Sequence, residues 1–342
     1  FARHGGPASC EVAAKWTAGD FWHMGIAVYL KDIGSGSAIT QALSRGDAHA
    51  LMREVLEGRT SAAESGAFVM AMRLRGTTLD ELSGFLGAAQ THCLQVRSHE
   101  PVVVVPSYGG SFTLPNLTPL LAMWLAREGV RVLVHGPMAD AARVTSADIL
   151  KDLGMPPAMN AADVARAWAR REPAFLPTRV LCAPLQVLMD LRRLLGVRGP
   201  GHLVAKMLNP VLGAPALRLL SHTRPELGNL MTAWAESDAT DAMLLPSTEG
   251  EPVADPRRQP RIDTWLAGRW RADLSTAAQT GPLAELPLLP SGTGAATTAL
   301  YVQEVISGMR PVPPPLARQA AMIVAAVSAL RMRPDALAPA AA

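Results

Sequence analysis

Cysteine is scarce: Cys10, Cys93 and Cys182 are the only three in 342 residues, and neighbouring ones lie more than eighty positions apart. That spacing fits neither a zinc-ligand set nor a secreted disulfide framework, so reduced thiols and a cytoplasmic protein are expected. Aromatic residues supply only 5% of the chain against 49% hydrophobic residues overall, so the cores are built from Ala, Leu, Val and Met, which favours helix-rich packing. No apolar run approaches the roughly 18 residues of a membrane span, and no charged, apolar and small-residue leader opens the sequence. Neither a membrane protein nor an exported one is expected. Phe1 to His23 mixes Gly, Pro, Trp and Cys without periodicity, and residues 1–37 read as an irregular extension. Net charge is +3 and the isoelectric point about 9.0, a mild excess that only slightly favours a polyanionic partner.

What is present is clear helix punctuation. Asp47 can cap a helix carrying Leu51, Val55 and Leu56 that stops at Gly58. Ser61 with Glu64, and Thr78 with Glu81, form capping boxes ahead of Phe68–Met72 and Leu82–Leu86. Residues 38–100 are therefore predicted to form a small helical domain, joined by a helix around 178–196. Its apolar faces exceed what so small a bundle can bury, and either a partner subunit or the second domain must cover them. At Pro101 the period changes. Val102 to Val105 form a continuous apolar run, a helix follows with Leu117, Leu120, Leu121 and Leu125 inward, and Arg131 to His135 supply the next strand. The alternation repeats at Leu217 to Leu220, a helix opened by Pro225, and Met243 to Leu245, so residues 101–334 are predicted to be a wound α/β domain. Ligands of such sheets sit beyond the strands' carboxyl ends, here Ser107 to Ser111 and Gly136 to Arg143. Pro- and Gly-rich patches at 249–260 and 281–294 read as exposed loops, and residues 335–342 as a disordered tail.

Ser107-Tyr108-Gly109-Gly110-Ser111 lies between a buried strand and a helix, where glycines let backbone amides approach an anion at the helix's positive end. A plain tight turn explains the same residues. His135, Asp140 and Ser146 lack the elbow that frames a catalytic serine, and His92, His202 and His222 show no paired metal spacing, so no catalytic or metal-ligating residue is assigned.

The motifs resemble the anthranilate phosphoribosyltransferase superfamily (glycosyltransferase family 3) in order and spacing. Gly66-Ala67-Phe68-Val69-Met70-Ala71-Met72-Arg73 matches its helical opening; His135-Gly136 with Ser146-Ala147-Asp148-Ile149-Leu150, and Gly196-Val197-Arg198 before Asn209-Pro210, match later motifs. The resemblance implies the α/β fold of nucleoside phosphorylase and phosphoribosyltransferase-like proteins, with a small N-terminal helical domain and a larger α/β domain. It also implies ligand contacts at Gly109, Gly110, Asn116, Thr118, His135, Gly136 and Arg198. The departures are pointed. The enzymes' Gly-Thr-Gly-Gly-Asp pyrophosphate loop is matched by Pro106 to Gly110, keeping one glycine and no acid. Their His-Gly-Asn-Arg reads His135-Gly136-Pro137-Met138, and the Asp-Glu pair that holds magnesium falls near Pro252 and Val253, with Glu249, Glu251 and Asp255 close by but spaced differently and Asp255 left as the alternative metal ligand. Loss of pyrophosphate builds negative charge that the metal must neutralise, so transfer chemistry loses its main stabiliser.

Pro106 to Gly109, Asn116 to Leu121, Gly196 to Arg198 and Ala205-Lys206 resemble more closely the YbiB branch of that superfamily. This implies a homodimer that binds DNA or RNA without marked sequence preference. A cationic set comprising Arg143, Arg192, Arg193, Arg198, Lys206, Arg218 and Arg224 would then contact the nucleic-acid backbone. Tyr108 and Trp124 invite comparison with base-stacking platforms, but loop filling explains Tyr108 and core spacing on its helix explains Trp124. No cofactor is expected on this reading. The alternative is an active phosphoribosyl- or glycosyltransferase, with Arg198, Asn116 and His135 lining the substrate site and Mg²⁺ required; a small-molecule sensor without turnover is a third.

Overall fold

The computed structural model of the protein describes residues 25–34 and 42–333. Most of the expected irregular extension and all of the expected tail lie outside the described residues. Within the extension, however, Ala27–Gly34 forms a helix, α1, with Ile26 and Ile33 in the core. Three helices follow: α2 (Arg45–Leu56), α3 (Ala62–Arg75) and α4 (Leu79–Gln90). The cap of α2 is Ser44, whose Oγ accepts from the Asp47 amide, so Asp47 lies inside the first turn and not at the cap. Both predicted capping boxes are present, at Ser61/Glu64 and Thr78/Glu81. α2 lies directly on α4 because Gly84 has no side chain; a Cβ there would stand 2.4 Å from the Arg45 carbonyl oxygen. Phe68 and Phe85 meet edge to face with centroids 5.6 Å apart, tying α3 to α4.

The sheet domain opens with β1 (Val96–Arg97), β2 (Val102–Pro106), α5 (Thr118–Arg127) and β3 (Arg131–Gly136). It continues through α6 (Ser146–Asp152), α7 (Ala161–Ala169) and β4 (Ala174–Pro177). The chain then returns to the helical domain as α8 (Thr178–Leu181), α9 (Ala183–Asp190), α10 (Arg192–Leu195) and α11 (Pro200–Ala205). It ends in β5 (Val211–Leu212), β6 (Ala216–His222), α12 (Pro225–Ser237), β7 (Ala242–Pro246), β8 (Asp263–Leu266), β9 (Arg269–Trp270), α13 (Ala295–Ile306) and α14 (Pro314–Arg331).

The main sheet has the order β4-β3-β2-β6-β7-β8-β9, parallel through β7 and antiparallel over the last two strands; β1 and β5 form a separate parallel pair. Alternate residues of β2 feed opposite faces: Val102 and Val104 join the core shared with the helical domain, and Val103 and Val105 the core under α5, α13 and α14. The first core runs without a break from Leu51, Phe68 and Phe85 to Leu133, Leu220 and Trp234, so the sheet domain covers much of the helical faces. The chain winds outward from β2 to β3 and β4 on one side and from β6 to β7 on the other. That reversal opens a crevice at the carboxyl ends of β2 and β6, beside α11. Among the described residues, no helix is long and apolar enough to cross a membrane.

Candidate functional site

The loop after β2 does form an anion-binding nest, and the protein fills it itself. Glu251 Oε1 accepts the Gly109 and Gly110 amides at 2.6 and 2.7 Å, and its Oε2 accepts the Thr118 hydroxyl at 2.7 Å at the start of α5. Glu249 takes the next positions, accepting the Phe112 amide at 2.8 Å, the Thr113 amide at 2.7 Å and the Thr113 hydroxyl at 2.5 Å. Burial works to raise the Glu249 carboxyl, but the Thr113 hydroxyl and the amides of 112–114 outweigh it and hold it below the usual range. Gly110 turns with φ +66°, and a Cβ on Gly109 would stand 2.4 Å from the Glu249 carbonyl oxygen, so the acidic segment requires glycine beneath it. The recess left among Gly110, Asn116, Glu249 and Glu251 holds about 30 Å³, space on the scale of a water molecule.

This overturns the expectation that 249–260 is an exposed loop. Glu251, Ala254, Asp255 and Gln259 are buried, and Gln319 on α14 accepts the Ala254 amide at 2.8 Å while donating to the Pro252 carbonyl at 3.0 Å. Asn116 and Gly136 are likewise spent on the protein. Asn116 donates to Ser146 Oγ at 3.0 Å and accepts the Thr118 amide at 3.0 Å. A Cβ on Gly136 would lie 2.1 Å from the Ser107 carbonyl oxygen, so that glycine serves packing.

His135 is fully buried at the end of β3, with Nδ1 3.0 Å from the Tyr108 hydroxyl, which in turn accepts from Thr178 at 3.2 Å. Its Nε2 has no partner among the described residues, and burial pushes its pKa down to about 3. His202 on α11 is also pushed down to about 3, first by burial and then by the charges of Arg198, Arg192 and Lys206. Both folded values lie below the unfolded 6.5, so the unfolded chain takes up the protons first. Their stabilising contribution is complete above about pH 6.5 and is lost as pH falls towards 3. Denaturant melts between pH 7 and 5.5 should show stability falling by about 1.4 kcal/mol per unit per histidine once below 6.5, and His135→Phe should remove roughly half of that slope. An unchanged slope in His135→Phe would contradict the burial of a neutral imidazole.

Part of the cationic set does converge. Arg198 donates to the Tyr108 carbonyl at 3.1 Å, Arg143 to the Gly109 carbonyl at 3.0 Å and Lys206 to the Gly250 carbonyl at 2.9 Å, so the three ring the mouth of the filled nest. Burial, then the charges of Arg192 and Arg143, hold the Arg198 guanidinium below its usual value, and burial brings Lys206 down to about 8 against the pull of Glu251. Arg192 joins them but is paired with Asp140 at 2.9 Å. Arg224 stands exposed just past β6, one residue after Thr223, which approaches the Gly250 segment beside Lys206. Arg193 faces solvent on α10. Arg218 is elsewhere: it stacks on Trp234 at 4.5 Å, donates to the Met207 carbonyl at 3.1 Å and the Thr240 hydroxyl at 2.7 Å, and is lowered to about 10 by burial. The structure does not bring it to the crevice.

Sequence reasoning missed Phe112, and missed the role of Glu249 and Glu251 in filling the nest and of Asp140 in pairing with Arg192. The two glutamates carry a readable signal, an acidic pair around a glycine directly after β7, the strand beside the switch point; the sequence cannot show that they turn inward.

A profile of the glycosyl transferase family, helical bundle domain, matches residues 28–93. The chain is 31% identical to the uncharacterized protein YbiB of Escherichia coli strain K12, over 90% of this chain and 96% of that one. The chain belongs to the YbiB branch of the anthranilate phosphoribosyltransferase-like superfamily. More distantly, it is 30% identical to the anthranilate phosphoribosyltransferase of Nitratidesulfovibrio vulgaris over 60% of each chain. Among solved structures, the anthranilate phosphoribosyltransferase of Thermus thermophilus superposes with a TM-score of 0.68 at 22% identity, covering 88% of both chains. The Saccharomyces cerevisiae enzyme in complex with PRPP and Mg gives 0.66 at 15% identity, covering 89% of both. These structures share the two-domain fold. The residues here do not suit a magnesium ion: both oxygens of Glu249 and of Glu251 are taken by the loop, and Asp255 is paired with Arg257 at 3.0 Å and Arg258 at 3.2 Å. Among the described residues, no three His, Cys, Asp or Glu side chains gather as a metal site.

Proposed function

We propose that this YbiB-branch chain binds DNA or RNA through the phosphate backbone, without reading base sequence, and transfers no phosphoribosyl group. One observation carries the reading: Arg143, Arg198 and Lys206 ring the crevice with donors to spare, while the amide nest between them is filled by the chain's own carboxylates. Phosphates passing over the rim would displace counterions from these cations. The transferase alternative is favoured by the 30% identity to an anthranilate phosphoribosyltransferase. Against it, the diphosphate of a phosphoribosyl donor would have to expel Glu251 from three hydrogen bonds, with no ligand set for the metal among the described residues. A homodimer belongs to the same proposal; Leu74, Val187 and Leu194 are exposed on the helical domain, and light scattering at twice the chain mass would support it.

Fluorescence anisotropy with a labelled single strand tests the binding. Affinity should fall with salt, with a log–log slope of about 0.7 per phosphate contacted. Because Lys206 loses its proton near pH 8, and phosphate favours the charged form, affinity should fall as pH rises from 8 towards 10, by less than tenfold per unit, and Lys206→Arg should abolish that fall. No binding at low salt would overturn the proposal and direct attention to a magnesium-dependent transferase assay.

A further inference from the structure

Tyr108 and Trp124 are both turned inward, as loop filling and core spacing would have them, so neither offers a face for base stacking. Tyr108 is 5% exposed with its hydroxyl bonded inside, and Trp124 is half-buried on α5 against the second core. Phe112 stands out instead. It is 61% exposed, at the rim of the crevice, and single exposed phenylalanines are common enough that this alone means little. Its surroundings are what matter. Ser111 and Val144 pair as an antiparallel bridge, with amides donating to each other's carbonyls at 2.8 and 3.2 Å, which sets Phe112 beside Arg143. The Phe112 amide is pinned to Glu249 Oε2 at 2.8 Å, so the loop that carries the ring is already ordered. The Arg143 guanidinium carbon lies 5.5 Å from the ring centroid, and its charge is felt by Arg198 within the crevice. An exposed ring on a pinned loop, with a guanidinium against it and Arg198 and Lys206 behind it, has the arrangement of a stacking platform.

Building on the nucleic-acid reading above, we propose that Phe112, with the Arg143 guanidinium against its ring, receives one unpaired base of a single strand whose phosphates run over Arg143, Arg198 and Lys206. Duplex DNA, with its bases already stacked and paired, gains nothing from Phe112. Stacking on a phenyl face also needs no particular base, which agrees with binding that ignores sequence.

Three labelled probes of equal phosphate number decide the matter by anisotropy: a short oligothymidine, an abasic strand and a duplex. Phe112→Ala should bind oligothymidine about tenfold more weakly, bind the abasic strand and the duplex as wild type does, and keep the wild-type salt slope, because no phosphate contact is removed. Phe112→Trp should retain or exceed wild-type affinity for oligothymidine. An unchanged thermal melt of Phe112→Ala would show that the fold is not the cause. Equal weakening on all three probes, or none on oligothymidine, would overturn the stacking role while leaving backbone binding intact. Failure of the wild type to bind any probe at low salt would overturn the underlying reading, and this one with it.

Discussion

Glu251→Ala is expected to lower stability by about 4 kcal/mol, because it removes three charge-assisted hydrogen bonds at once and leaves the Gly109 and Gly110 amides without a partner in a buried site. For a domain of this size that is roughly a 10 °C fall in melting temperature. The informative arm is rescue. The emptied nest presents two amides and a hydroxyl at the start of α5, which suits an anion, so millimolar inorganic pyrophosphate should raise the melting temperature of Glu251→Ala and leave the wild type unmoved. Saturation at about 100 times the dissociation constant would return about 2.7 kcal/mol. Glu251→Gln should lose much less than the alanine variant, since its Oε1 can keep both amides and its Nε2 can donate to the Thr118 hydroxyl, leaving only the charge removed. Stabilisation of the wild type by pyrophosphate would mean that Glu251 leaves the nest readily, and the transferase alternative would regain its site.

Much of this architecture is legible in the sequence because local rules and tertiary demands agree there. The capping boxes at Ser61/Glu64 and Thr78/Glu81 form as written, and the apolar run at Val102 to Val105 is buried on both faces as a parallel strand requires. β4 and the β8–β9 hairpin are not legible, being four residues or shorter. The site is harder, since residue type tells charge and not direction. Arg218 lies on β6 between buried Leu217 and Leu219, and strand alternation points it to the opposite face, where Trp234 takes its guanidinium. His135 stands last but one on a strand buried along nearly its whole length, and burial keeps it neutral inside. The segment 249–260 carries the composition of a surface loop, yet it is drawn inward by an amide nest contributed more than a hundred residues earlier. No local pattern encodes a contact of that separation.

The remaining large effect concerns charge. The variant Arg143→Ala/Arg198→Ala/Lys206→Ala removes three phosphate contacts, which at about 0.7 per contact lowers the salt slope by about 2 and weakens single-strand binding at roughly 50 mM salt by about 500-fold. Each of the three side chains also holds a backbone carbonyl, so melting must be followed alongside binding, and each lost hydrogen bond should cost about 1 kcal/mol. Arg218→Ala is the informative contrast. It breaks a packed cation–aromatic contact and two hydrogen bonds, and should destabilise the fold by about 2 kcal/mol while leaving the salt slope untouched. Arg193→Ala, an exposed cation on α10, should change the slope by at most one contact. A slope that fell equally for all of these variants would mean that the whole basic surface attracts the polyanion indiscriminately. A fall confined to Arg143, Arg198 and Lys206 would place the strand in the crevice where the two halves of the sheet diverge, over a phosphate nest that the chain has closed with its own carboxylates.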